Sequence, residues 1–126
     1  MTESESMAKA ARITLLVQGA PRATRADAAA LAFARAAIHT GAVVHRVFFY
    51  KDAIYAASRF ARDEDGTAGA WAKLAGEHGF ELAVCVAAAE RRGIVEGESL
   101  AEGFAVVGLG QMVEAMEASD RVVTFG

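Results

Sequence analysis

The chain has 126 residues, of which 54% are hydrophobic and 23% are charged, and its formal net charge at pH 7 is −3. This length is enough for one domain with its own core, and the composition excludes an intrinsically disordered chain. The acidic balance argues against nonspecific binding to nucleic acid or to anionic membranes, which requires a basic surface. A single cysteine excludes an intrachain disulfide and a zinc ribbon.

The first eleven residues are rich in polar and small residues and lack the apolar run of a signal peptide. We therefore expect a flexible tail over residues 1–11, one domain over residues 12–126 and a cytoplasmic location. Apolar stretches elsewhere are far shorter than a membrane span. We expect neither a membrane nor a nucleic acid as a direct partner.

Short apolar runs alternate with alanine-rich stretches along the chain, which predicts strands alternating with helices. The predicted strands cover residues 13–17, 43–49, 82–86, 104–107 and 120–125. The predicted helices cover residues 25–39, 67–77, 87–92 and 111–118. Thr24 is expected to cap the first helix, and residues 53–60 fit either a short helix or an ordered loop. This order is typical of a single α/β domain with about five mostly parallel strands and helices on both faces of the sheet, as in flavodoxin-like folds.

Several apolar and charged side chains receive separate interpretations. Phe48 and Phe49 are assigned to the core, whereas Tyr50 and Tyr55 are expected to line a site or an interface. The charged run over residues 62–65 is expected to be a solvated turn. Three side chains of the last predicted helix are also assigned to the core: Met112, Val113 and Met116.

The carboxyl ends of parallel strands place ligands and chemistry at one edge of a sheet. Three segments are predicted to meet there: residues 18–22, 50–52 and 85–88. Cys85 is the candidate reactive residue, because backbone N–H groups at the start of the following helix favour a thiolate. The alternative is a small buried core residue, which the composition alone favours, since free cysteines are commonly buried. The supporting site residues predicted at this edge are Gly19, Pro21, Tyr50, Lys51, Ala87 and Ala88.

Other motifs fail the tests for metal or nucleotide sites. His39, His45 and His78 lack the spacing of metal ligands. Gly108-Leu109-Gly110 is followed by valine where a dinucleotide fingerprint requires a third glycine, and no P-loop occurs. A small-molecule or nucleotide-binding domain of flavodoxin type is therefore disfavoured.

Three segments, taken together, carry a family resemblance. They are Val47-Phe48-Phe49-Tyr50, Cys85-Val86-Ala87-Ala88-Ala89 followed by Arg91-Arg92-Gly93, and Gly108-Leu109-Gly110. Over residues 12–125 the sequence resembles the DsrE/TusD family of sulfur-relay proteins. The resemblance implies a five-stranded parallel sheet and a sulfurtransferase that carries sulfur as a covalent persulfide on Cys85, with no other cofactor and no metal.

The resemblance also implies partners and an assembly. Sulfur would come from a TusA-like donor and pass to a TusE- or DsrC-like acceptor. Sibling chains similar to TusB and TusC, or to DsrF and DsrH, would complete a heterohexamer. The pathway would be tRNA 2-thiouridine formation or dissimilatory sulfur metabolism. An alternative within the same fold is a non-catalytic subunit or interaction module in which Cys85 is structural.

One position departs from the family pattern. Ala53 stands where relatives usually have glycine, directly after the aromatic strand end. If the backbone there required a positive φ, alanine would be costly, so the local loop is expected to differ from that of relatives.

Overall fold

The computed structural model describes residues 10–21, 23–61, 63 and 65–126. The strands are β1 (Arg12–Val17), β2 (Val43–Phe49), β3 (Glu81–Cys85), β4 (Phe104–Val107) and β5 (Arg121–Phe125). The α-helices are α1 (Ala26–His39), α2 (Thr67–His78), α3 (Val86–Arg91) and α4 (Leu109–Glu117), and a 3₁₀ helix covers Lys51–Ala57. Residues 1–9 of the predicted tail lie outside the described residues.

The sheet has the strand order β4-β3-β2-β1-β5, and every adjacent pair is parallel. The predicted α/β class with five parallel strands is confirmed. Parallel pairing requires crossover connections, and the helices between successive strands supply them. Strands β2, β3 and β4 are added in turn on one side of β1, and β5 is added on its other side.

Local chemistry sets the helix boundaries and corrects two predictions. Thr24 is not the N-cap of α1, because Arg25 holds that position without a side-chain cap. The Thr24 hydroxyl instead donates to the Ala20 carbonyl at 2.8 Å and accepts from the Ala26 N–H at 3.3 Å, closing the turn before the helix. The third strand ends at Cys85, one residue earlier than predicted, because Val86 already begins α3.

Acidic residues of the charged turn support the start of α2. Asp63 accepts backbone N–H groups of Ala68 and Gly69, each at 3.0 Å, and Asp65 accepts that of Thr67 at 3.1 Å. Carboxylates at the N-terminus of a helix accept hydrogen bonds from its unpaired backbone N–H groups and interact favourably with the positive end of the helix dipole. Both side chains are exposed as predicted, but they also anchor a helix; Arg62 and Glu64 of the same run lie outside the described residues.

Most of the core lies on one face of the sheet, against α1, α2, α3 and the 3₁₀ helix. Phe49 is fully buried there, and its ring packs edge-on against Trp71 at 5.6 Å and against Phe104 at 5.4 Å. The Trp71 indole donates to the buried carboxylate of Asp27 at 2.6 Å, so its polar group is satisfied inside the core. This hydrogen bond joins α1 to α2.

The opposite face carries a small cluster formed by Phe48, Ala83, Val107 and Ala115. The prediction that Met112, Val113 and Met116 form core is wrong for two of them, since Val113 is 52% exposed and Met116 is 45% exposed. Met112 is half-buried against the cluster. The reason is the rotation of α4, which turns Ala115 toward the sheet and places its carbonyl 3.4 Å from the Thr14 hydroxyl.

Polar residues of β1 and β2 lie close together where the register of the two strands shifts. The shift falls between Ile13 and Thr14, so His45 is passed over in the pairing. Its Nδ1 lies 2.7 Å from an Arg12 guanidinium nitrogen, which makes Nδ1 the acceptor. Burial lowers the pKa of His45 below its ordinary value of 6.5, and the charges of Arg12 and Arg46 lower it further. Glu114 opposes this shift.

Candidate functional site

Cys85 lies at the carboxyl edge of the sheet, where β3 passes into α3. It pairs in register with Val107 of β4, and the pairing of Phe49 with Val84 places Tyr50 beside Cys85 on the other side. The Tyr50 N–H donates to the Val17 carbonyl at 2.9 Å, which ties this row to β1. The structure therefore brings the segments that follow β1, β2 and β3 to one edge, as their spacing predicts.

The side chain of Cys85 is shielded, with 4% of the residue exposed. It belongs to the main core cluster together with Ala88 and Ala89 of α3. Its backbone is extended, at φ −63° and ψ 124°, so the chain turns into the helix directly after it. A thiol in this position is protected from bulk oxidants.

Arg92 fastens α3 to the 3₁₀ helix that follows β2. Its Nε lies 3.0 Å from Asp52 Oδ1, and its Nη1 donates to the Ala88 carbonyl at 3.1 Å. The two contacts join the end of α3 to the chain beside Cys85. The sequence analysis placed Asp52 at this edge of the sheet but did not predict its pairing with Arg92, because residues 40 positions apart share no local signal.

Lys51 has a positive φ of 53°, the sole such value among the described non-glycine residues. A non-glycine residue in the left-handed region costs of the order of 1 kcal/mol. Ala53, two residues later, is fully buried in the 3₁₀ helix. Ala53 does not have a positive φ and therefore carries no such cost. The positive φ falls on Lys51, where the chain turns away from the sheet next to Cys85.

A buried serine holds the segment after α3 in place. Ser99 Oγ donates to the Gly93 carbonyl at 2.7 Å and accepts the Val95 N–H at 2.8 Å. The Ser99 carbonyl accepts the Arg59 N–H at 2.8 Å, linking this segment to the chain after the 3₁₀ helix. Sequence reasoning missed Ser99, since a lone serine in a polar, glycine-rich stretch is no distinctive signal.

The predicted supporting residues divide into two groups. Tyr50 and Lys51 directly follow β2, the strand that pairs with β3, and therefore lie beside Cys85. Ala87 and Ala88 follow Cys85 in α3, where Ala88 is buried and Ala87 is exposed. Gly19 and Pro21 follow β1, which is two strands from β3 and hence about 10 Å away. A side chain at Gly19 would collide with the Thr24 hydroxyl and the Ala26 Cβ, so that glycine serves close packing.

The comparison with family models decides the classification. Residues 11–125 match the model of the DsrE/DsrF-like family. The chain belongs to the DsrE/DsrF-like family. Its predicted resemblance to DsrE and TusD proteins is confirmed. The match spans every strand and helix described above, so the family's fold accounts for the whole domain.

Named relatives of this family align with the chain over nearly their full lengths. The sulfurtransferase TusD of Photorhabdus laumondii is 39% identical over 88% of this chain and 95% of its own. A sulfurtransferase TusD homolog of Vibrio parahaemolyticus is 42% identical over 89% of this chain and 95% of its own. A protein of Allochromatium vinosum, provisionally named sulfurtransferase DsrE, is 38% identical over 91% of this chain and 98% of its own.

Two solved structures share the DsrE/DsrF-like fold of this chain. The ychN protein from E. coli superimposes with a TM-score of 0.78 at 20% identity, covering 91% of this chain and 99% of that one. The protein MTH1491 from Methanobacterium thermoautotrophicum gives 0.72 at 17% identity, covering 90% and 98%. Within the described ranges, no helix has the length and apolar character needed to cross a membrane.

Proposed function

We propose that this protein is a sulfurtransferase that carries sulfane sulfur as a persulfide on Cys85. The observation that carries the proposal is the position of the chain's one cysteine, at the carboxyl edge of the sheet where β3 meets α3. Relatives that align with almost the whole chain are named sulfurtransferases, which supports the same activity here.

The proposed transfer is a pair of thiol–persulfide exchanges. The Cys85 thiolate attacks the outer sulfur of a donor persulfide, R–S–SH; a new S–S bond forms on Cys85 and the donor leaves as its thiolate, R–S⁻. An acceptor thiolate, R′–S⁻, then attacks the same outer sulfur and becomes R′–S–SH, while Cys85 leaves as a thiolate. Each step replaces one S–S bond by another, so neither an oxidant nor a reductant is consumed.

The surroundings of Cys85 suit a carrier. With one cysteine in the chain, a persulfide on Cys85 has no neighbouring thiol of the same chain to resolve it as an internal disulfide. The sulfur must therefore leave to another molecule. The 4% exposure of Cys85 limits loss of the persulfide to solvent thiols between transfers.

The proposed partners follow from the TusD and DsrE relatives. We infer a TusA-like donor, a TusE- or DsrC-like acceptor and sibling subunits in a hexamer, acting in the cytoplasm, where thiols are kept reduced. The chain is 38% identical to the DsrE protein and 39% and 42% identical to the two TusD proteins. These identities are too close to one another to favour one pathway. Both tRNA thiolation and dissimilatory sulfur metabolism therefore remain within the proposal.

A second candidate is a non-catalytic subunit of the same assembly, in which Cys85 is structural. The low exposure of Cys85 and its place in the main core cluster favour it. Thiol reactivity separates the two candidates, because a core cysteine is inert in the folded state.

The test compares alkylation of Cys85 by iodoacetamide at neutral pH in the folded protein and in urea. For a carrier we expect the folded protein to react within about tenfold of the unfolded rate. Circular dichroism under the same conditions confirms that the chain is folded. A thiol that reacts in urea and not detectably in the folded protein would favour the structural role.

A further inference from the structure

We propose that a hollow next to Cys85 docks a segment of the partner protein that presents an apolar and a basic side chain beside its own cysteine. This inference rests on the proposed sulfur transfer and names the chemistry of the partner. The hollow has a volume of about 300 Å³. Its lining consists of Val86, Glu90, Ile94, Val95, Glu96 and Val106.

The floor of the hollow is apolar and part of it is open to solvent. Ile94 is buried, whereas Val86 is 38% exposed and Val95 is 43% exposed. Covering these valine side chains with an apolar residue removes hydrocarbon surface from water, which is favourable. The volume accommodates one or two side chains, which is the size of an anchor at a protein interface.

The charge of the hollow is negative and uncompensated. Glu90 and Glu96 are exposed, and neither carboxylate forms an ion pair or hydrogen bond with another described residue. The guanidinium of Arg92, which follows α3, is already bound to Asp52. A lysine or arginine on the partner would therefore complement the two carboxylates.

The hollow lies next to Cys85 along the backbone. Val86 directly follows Cys85, and Val106 precedes Val107, which pairs with Cys85 in the sheet. The strand that carries Val106, β4, lies at the end of the sheet, so the hollow is reached from the side of the molecule. In the proposed docking, the cysteine of the partner is the residue next to the seated segment on the Cys85 side of the hollow.

Helix α4 of a second copy of this chain is a poorer occupant. The exposed apolar residues of α4 are Leu109, Val113 and Met116, and Glu114 and Glu117 lie on the same helix. Bringing that acidic helix onto Glu90 and Glu96 would place like charges together, which opposes association. The proposed occupant also carries a cysteine beside its apolar and basic side chains. Because the one cysteine of this chain is the buried Cys85, we assign the hollow to a different protein with basic character.

The test uses synthetic peptides in which a cysteine, activated as a mixed disulfide with thionitrobenzoate, precedes leucine and lysine. The Cys85 thiolate attacks the peptide sulfur, forms a mixed disulfide and releases coloured thionitrobenzoate. Comparison peptides carry glutamate in place of lysine, or serine in place of leucine. We expect the leucine–lysine peptide to react about fivefold faster than either, with a smaller advantage at high salt.

Substitutions in the hollow test whether its residues cause the preference for the leucine–lysine peptide. The double variant E90Q/E96Q should lose the preference for lysine, and V95S should lose the preference for leucine. The control E114Q/E117Q removes two carboxylates from α4 and should keep both preferences. Circular dichroism checks the fold of each variant.

The outcomes separate this inference from the proposed function. Equal rates for all peptides on reactive Cys85 would overturn the docking site while leaving sulfur transfer intact. No reaction with any peptide in a protein that takes up sulfur from polysulfide would overturn the docking site alone, and no reaction with either reagent would overturn both. A change in sedimentation of E90Q/E96Q without a change in peptide preference would assign the hollow to a second copy and overturn the inference.

Discussion

At the scale of single residues, two side chains have properties set by burial. Cys85 is 4% exposed, so the reaction of its sulfur depends on the contacts that hold α3 above it. His45 accepts a hydrogen bond from Arg12 on Nδ1, which requires a neutral ring. Protonation of His45 would break that bond and place a third positive charge beside Arg12 and Arg46.

The lowered pKa of His45 predicts how stability changes with pH. Because the folded pKa lies below the ordinary value of 6.5, the unfolded chain binds a proton first as the pH falls. The contribution of His45 to stability is therefore complete above pH 6.5 and is lost as the pH falls through the folded pKa. Urea unfolding of the wild type should show this decline.

Replacement of the ring identifies the source of that decline. In H45Q the fall in unfolding free energy just below pH 6.5 should be shallower than in the wild type. The control H78Q alters an exposed histidine at the end of α2 and should retain the wild-type profile. Identical profiles for H45Q and the wild type would show that His45 does not titrate as described.

At the scale of elements, α3 has six residues and depends on tertiary contacts, because isolated helices of this length are unstable. Arg92 supplies two of these contacts, one to Asp52 and one to the Ala88 carbonyl. Ser99 fastens the segment after the helix to Gly93. These contacts form a continuous connection between the 3₁₀ helix and the residues that cover Cys85.

Weakening the Asp52–Arg92 pair should expose Cys85 more often. The side chains are 60% and 23% exposed, so the pair contributes less than about 1 kcal/mol and D52N should raise the alkylation rate about two- to fivefold. Added salt should raise the wild-type rate in the same direction and leave D52N almost unchanged.

The matched control is E81Q, which removes the partner of Arg46 at the opposite end of β3. The Arg46 and Glu81 side chains lie 3.2 Å apart, so the control breaks a comparable ion pair far along the strand from Cys85. An equal rise in alkylation for E81Q and D52N would mean that general destabilisation, and not the hold on α3, controls access.

At the scale of the whole molecule, the two faces of the sheet are unequal. One face is packed by α1, α2, α3 and the 3₁₀ helix, whereas the smaller cluster of the other face involves α4. The side chains of Val113 and Met116 consequently point away from the core. Such a row of exposed apolar side chains is typical of a surface that packs against another subunit.

Substitutions on the smaller face test this arrangement. V113S should change the unfolding free energy by less than about 0.5 kcal/mol, because the side chain is already half exposed. F48A should cost about 3–5 kcal/mol, because Phe48 is 2% exposed in the cluster. A large loss of stability in V113S, measured by urea unfolding, would mean that Val113 is part of the core and would contradict this arrangement.

The sequence predicted the alternation of elements because strand and helix patterns are local. Cys85 at the strand–helix junction could be placed for the same reason. The rotation of α4 about its axis could not be predicted from the sequence. Ala115 and Val113 are both apolar, and packing against the sheet decides which of the two faces inward. The Asp52–Arg92 pair and the Ser99 contacts join distant segments, and the positive φ of Lys51 arises from the turn beside the sheet.

The most direct test of the central claim is the intact mass of the protein after incubation with inorganic polysulfide. The account predicts that the folded wild type gains the mass of one sulfur atom, that a thiol reductant removes it, and that C85S gains none. A folded wild-type protein that takes up no sulfur, or a C85S variant that takes up the same amount, would contradict the assignment of Cys85 as the carrier.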